Sequence, residues 1–114
     1  MSIMYSNDEI MEFVSIVAET TDPDKIILYG SYAYGLPHEK SDIDLLVIKN
    51  DKELTIDEET EIAVSLFKKR KHHKVGAHYD VCVRTDNQAH RIAERGGALF
   101  DALQKGMVVY ERSH

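Results

Sequence analysis

Cysteine is nearly absent. Cys82 is the single one in 114 residues, so no disulfide can form within the chain, and a cytoplasmic location is expected. Proline is almost as scarce. Pro23 and Pro37 both fall in apparent turns, and no repeat, low-complexity tract or linker divides the chain. Positive charge is in deficit: 14 Lys and Arg against 20 Asp and Glu leave a formal net charge of −6. Wrapping nucleic acid over a whole surface needs the opposite balance, because phosphate attraction drives it. Long apolar runs are missing too. No stretch is long enough to span a membrane, and residues 1–12 lack the basic-then-apolar order of a signal peptide. What is present is an ordinary globular hydrophobic share of 43% and the length of one domain, expected over residues 1–114.

Periodicity predicts a helix over residues 7–19, with Ile10, Met11, Phe13, Val14 and Val17 on one stripe and Asn7 or Asp8 as cap. Residues 20–24 read as a turn. Residues 25–29 form a short β-prone run ending at Gly30, and residues 31–41 are polar and turn-rich, with one helical turn starting at Ser31. A strand follows over residues 42–48. A helix is expected over residues 56–70, with Ala63, Val64 and Phe67 near one face and Ile62 and Leu66 beside it. Residues 77–84 read as a third strand. Residues 87–104 read as helix interrupted at Gly96-Gly97. Gly106 suits a helix C-cap, and residues 107–110 make a last short strand. This order predicts one sheet with helices packed on it.

The chemistry-bearing segment is Gly30-Ser31, then residues 32–41, then Asp42-Ile43-Asp44. On a strand, residues i and i+2 share a face, so Asp42 and Asp44 project side by side, their Cα atoms roughly 6.6 Å apart. Ile43, Leu45 and Val47 turn the other way, into a core. Neighbouring carboxylates repel unless a cation lies between them, and hard cations such as Mg²⁺ take carboxylate and phosphate oxygens together. At the other end of the spacer, Gly30 admits close approach of a phosphate to the backbone, and the N–H groups and hydroxyl beginning at Ser31 offer donors. Asp80, a lone carboxylate in an otherwise apolar strand, is the candidate third acid. It would complete a metal shell and take the attacking group's proton.

This pattern resembles the nucleotidyltransferase superfamily typified by DNA polymerase beta: a Gly-Ser pair, a spacer near ten residues, Asp-x-Asp on the next strand and a later strand carboxylate. The chain is similar throughout to the minimal nucleotidyltransferase members. The resemblance implies an α+β fold, a mixed β-sheet with helices packed against it. It implies metal ligation by Asp42, Asp44 and Asp80, which are also the catalytic residues, and triphosphate contact by Gly30 and Ser31. The implied cofactors are two Mg²⁺ ions, with Mn²⁺ as a substitute, and ATP is the implied substrate. The implied reaction transfers AMP to a protein acceptor. The implied partner is a HEPN-family ribonuclease toxin, which this chain would neutralise as antitoxin in a hetero-oligomer. One position departs from the pattern: Tyr34 stands where many minimal members carry Arg, so a guanidinium clamp is missing there.

Two further readings belong to other classes. The domain would be a binding module with a vestigial site, acting by occlusion, or a small-molecule nucleotidyltransferase, which usually needs a second domain to hold its acceptor. The basic run at residues 68–74 suits a solvated helix C-terminus or contact with RNA or a partner. His78 and Cys82 share Asp80's face, as a rim or core histidine and a small buried hydrophobe. Tyr29, Tyr32 and Tyr34 cluster around the loop, where either base stacking or packing of the loop onto the domain fits. The apolar final strand would be an edge.

Overall fold

The computed structural model describes residues 4–70 and 78–113. These form four strands and five helices: α1 (Asn7–Thr21), β1 (Lys25–Tyr29), α2 (Ser31–Tyr34), β2 (Ile43–Ile48), α3 (Ile56–Arg70), β3 (Tyr79–Arg84), α4 (Asp86–Ala93), α5 (Ala98–Lys105) and β4 (Met107–Glu111). The sheet order is β3-β2-β1-β4. β1 runs antiparallel to both neighbours, whereas β2 and β3 are parallel, so the sheet is mixed and the fold is α+β as expected.

Helix α1 starts from a capping box rather than from Asn7 or Asp8. The Ser6 hydroxyl accepts from the Glu9 N–H at 3.2 Å, and the Ser6 N–H donates to the Glu9 carboxylate at 3.0 Å. Two orphan donors are satisfied at once, which a cap one residue later would not achieve. The helix also runs two residues into the expected turn, stopping at Asp22 in the left-handed conformation. Its buried face is Ile10, Phe13, Val14, Val17 and Thr21. Met11 is exposed, because it lies off the i, i+3, i+4, i+7 stripe.

Both faces of the sheet are covered, which is why β1 and β2 read as nearly continuous apolar runs. On one face Ile26, Leu28, Ile43, Leu45, Val47 and Val83 pack under α1 and Leu66 of α3. On the other, Ile27, Tyr29, Leu46 and Ile48 meet Ala89 of α4 and Leu99 and Ala102 of α5. Helix α3 is rotated from the expected orientation. Leu66 is its buried residue, with Ile62 packed beside it, while Ala63, Val64 and Phe67 face outward. The Ile62–Leu66 line is the part of α3 that joins the core under the sheet. The expected break between α4 and α5 lies at Gly96-Gly97, both with positive φ (81° and 86°). Thr85 caps α4 through a second capping box with Gln88. Strand β4 is an edge, as expected, and Met107 and Val108 are exposed on it. Of the basic run, Lys68, Lys69 and Arg70 form the last turn of α3, and the rest lies outside the described residues.

Candidate active site

The antiparallel β1–β2 pairing places the end of β1 beside the start of β2, so Tyr29 and Asp44 are register partners. The next residue, Gly30, has φ 75° and ψ −160°, a conformation essentially restricted to glycine. A Cβ there would also collide with the Asp44 carboxylate. The glycine therefore serves two demands: it turns the chain into α2 and brings that turn directly against Asp44. The Gly30 carbonyl then accepts from the N–H groups of Ala33 and Tyr34, each at 3.0 Å. The N–H groups of Ser31 and Tyr32 precede these bonds at the head of the turn. With four residues, α2 is a single turn, so any anion-binding donors are individual groups and not the end of a long helix dipole.

Asp44 is half-buried, whereas Asp42, just ahead of β2, is exposed. Register across the parallel pair puts Asp80 directly beside Asp44. Burial, then the Asp80 charge, then the Asp42 charge push the Asp44 carboxyl up to about 6. Tyr29 is buried beneath the same carboxylates, and burial together with Asp80 and Asp44 pushes its phenol well above the usual range. Burial likewise pushes the Cys82 thiol up, and Cys82 packs on the α4–α5 side. His78 lies with its Nδ1 4.0 Å from the Asp42 carboxylate. Among the described residues, no lysine or arginine forms an ion pair with Asp42, Asp44 or Asp80.

The chain thus brings together the five residues singled out in the sequence: Gly30 and Ser31 at the head of the turn, Asp42 and Asp44 around the start of β2, and Asp80 on β3. Among the described residues no lysine or arginine offsets the excess negative charge, and a divalent cation is the species that would do so. Among the described residues, no three His, Cys, Asp or Glu side chains close into a ready-made metal cage. An open pair of carboxylates suits Mg²⁺, which typically binds one or two carboxylates together with phosphate oxygens and water.

The loop tyrosines divide by environment. Tyr32 is held to the domain: its hydroxyl accepts from the Tyr5 N–H at 3.1 Å, and the two rings lie 6.1 Å apart. Tyr34 is exposed. Sequence patterning gave no sign that Tyr29 underlies the acidic cluster, because strand register, not spacing, puts it there.

The model of the nucleotidyltransferase domain family matches residues 10–105. This chain belongs to that family. The nucleotidyltransferase domain shares its fold with a candidate nucleotidyltransferase from Sulfolobus solfataricus, solved by crystallography (TM-score 0.60, 18% identity), over 92% of this chain and 79% of that one. It also resembles a crystallised toxin–antitoxin protein solved with AMP-PNP (TM-score 0.56, 19% identity), over 90% of this chain and 74% of that one. No curated protein sequence matches the nucleotidyltransferase domain significantly. No helix among the described residues is long and apolar enough to cross a membrane.

Proposed function

We propose that this nucleotidyltransferase domain transfers AMP from ATP to a protein acceptor, and that it acts in the cytoplasm as the antitoxin of a paired HEPN-type toxin. The observation that carries the reading is the contact between Gly30 and Asp44. A glycine turn suited to phosphates abuts a carboxylate suited to a cation, and a metal-bound triphosphate needs both. Asp42, Asp44 and Asp80 would hold the Mg²⁺, with Mn²⁺ as a substitute; the bound metal would neutralise phosphate charge and polarise the α-phosphate. Gly30 and Ser31 position the triphosphate through backbone N–H groups and a hydroxyl. Asp80, exposed on the outer strand, would face the acceptor. The neighbour solved as a toxin–antitoxin with AMP-PNP, an ATP analogue, supports both the nucleotide and a protein partner.

Calorimetry tests the core of this reading. ATP should bind with Mg²⁺ and lose most of its affinity in chelator, because bare phosphates would meet unshielded carboxylates. Equal affinity in both conditions would remove the site.

A further inference from the structure

We propose that the open edge of β3 is the acceptor site: an extended segment of the partner protein adds there as another strand and so carries a side-chain hydroxyl to Asp80. This rests on the transferase reading above and names what that reading leaves open, how the acceptor is held.

The outer edge of β3 is unpaired among the described residues, since β2 is its neighbour in the sheet. Two bonds bracket their register. The Ile43 N–H donates to the His78 carbonyl and the Lys49 N–H to the Arg84 carbonyl, both at 2.9 Å. In a parallel pair, alternate residues turn both backbone groups toward the neighbouring strand. His78, Asp80, Cys82 and Arg84 therefore bond to β2. The N–H and C=O groups of Tyr79, Val81 and Val83 point to the open side. Such an edge is a template for another backbone, and an extended peptide is the ligand that satisfies it.

A groove of about 520 Å³ follows this edge, walled by β3 and by Ile56, Thr60 and Ala63 of α3. Ile56 is 81% exposed, so the wall offers apolar surface to an incoming chain. Arg84 and Glu59, also on the wall, neutralise one another at 3.0 Å. Asp80 is left as the groove's uncompensated charge among the described residues. Along an added strand, every second side chain would fall on the Asp80 face, and those between would fall on α3. The segment that fits alternates apolar residues with Ser, Thr or Tyr and carries no acid opposite Asp80. A second copy of this chain fits poorly: each copy has a net charge of −6, and pairing of two β3 edges would bring two acidic sites together. In the transfer, the acceptor hydroxyl oxygen bonds to the α-phosphorus and the α–β phosphoanhydride bond breaks. Pyrophosphate leaves, and the hydroxyl proton passes by way of the Asp80 carboxylate to solvent.

The probe is a fluorescein-labelled peptide of alternating valine and threonine with terminal lysines, beside the same peptide N-methylated on alternate backbone nitrogens. By anisotropy the first should bind, and N-methylation on the pairing edge should weaken it about tenfold, the scale of a backbone hydrogen bond left unmade. Mass spectrometry should find AMP on a threonine when ATP and Mg²⁺ are added. Val81→Pro removes a donor on the open side and leaves every bond to β2, so it should weaken the peptide about tenfold with ATP affinity unchanged. Ala63→Glu should do the same by blocking the α3 wall, which keeps the test valid if the proline variant folds poorly. Equal binding of both peptides, or no peptide binding by a protein that binds Mg²⁺-ATP normally, overturns the acceptor site and leaves the transferase reading standing. Concentration-dependent dimerisation abolished by Val81→Pro overturns it in favour of self-association. Loss of metal-dependent ATP binding in the parent instead strikes the transferase reading, and the acceptor site falls with it.

Discussion

Asp44 of β2 and Asp80 of β3 are register partners across a parallel strand pair. Adjacent strands lie about 4.8 Å apart, so two carboxyl groups at the same height on the same face share one small volume. Only the outer one meets water freely. The inner one is half-buried, and its carboxyl is pushed up to about 6. The domain thus stores like-charge repulsion at the position where it would bind a cation.

Replacing Asp44 by Asn keeps the shape and removes one charge. The metal-free variant should be at least as stable as the parent, by about 1 kcal/mol once solvent screening of a half-exposed group is allowed for. Mg²⁺ with ATP should raise the parent's melting temperature by mass action, and the variant should lose most of that increment together with transferase activity. An Asp44→Asn protein that is less stable without metal, beside a parent indifferent to divalent ions, would rule out the metal assignment. A variant that still binds its protein partner but no longer transfers AMP separates catalysis from occlusion.

The same carboxyl sets a pH dependence. Its folded pKa, about 6, lies above the unfolded value near 3.8. Between those values the folded state binds more protons, so metal-free stability should fall as pH rises from about 4 to 6 and then level off as far as this group is concerned. Metal binding requires the ionised form, so Mg²⁺ affinity should climb through the same window. Urea titrations of parent and Asp44→Asn across this range should differ in slope below pH 6 and run parallel above it. Parallel curves throughout would show that Asp44 titrates normally.

Gly30→Ala should be disproportionately harmful. The new methyl group meets the Asp44 carboxylate and the backbone has φ 75°, so the turn or the aspartate must move. A loss of about 1–3 kcal/mol in stability is expected from backbone strain alone. Mg²⁺-ATP affinity should drop with it. An alanine variant with normal melting and normal nucleotide affinity would mean that the close approach is incidental.

Co-expression with an adjacent HEPN-type protein, where one is encoded, should give a complex that survives size exclusion. Separate elution of both proteins at micromolar concentration would withdraw the antitoxin reading without touching the nucleotide site.

Much of this architecture was legible in the residues. β1 and α3 have their expected bounds, the helical turn at Ser31 and the break at Gly96-Gly97 follow from local chemistry, and the mixed sheet is what the family resemblance implies. The capping box at Ser6 and Glu9 was equally local, but Asn7 and Asp8 compete for the same role in sequence. The orientation of α3 was not legible: Ala63, Val64 and Phe67 form as good a stripe as Ile62 and Leu66, and tertiary packing chose between them. At the candidate site, the Asp42–Asp44 proximity came from strand alternation alone. The Asp44–Asp80 pairing and the burial of Tyr29 beneath both needed strand register, which a sequence without its sheet does not specify.

The spacer between Ser31 and Asp42 spans ten residues, yet the hydrogen-bond ladder between β1 and β2, not the spacer, brings its two ends together. Leu36, His38, Glu39 and Lys40 stand out in solvent on that connection. Lengthening an exposed connection whose ends are already clamped costs little, since closure entropy grows only with the logarithm of length. The exposed part of the connection can therefore change in sequence and size while the turn at Gly30 and the carboxylates stay in place.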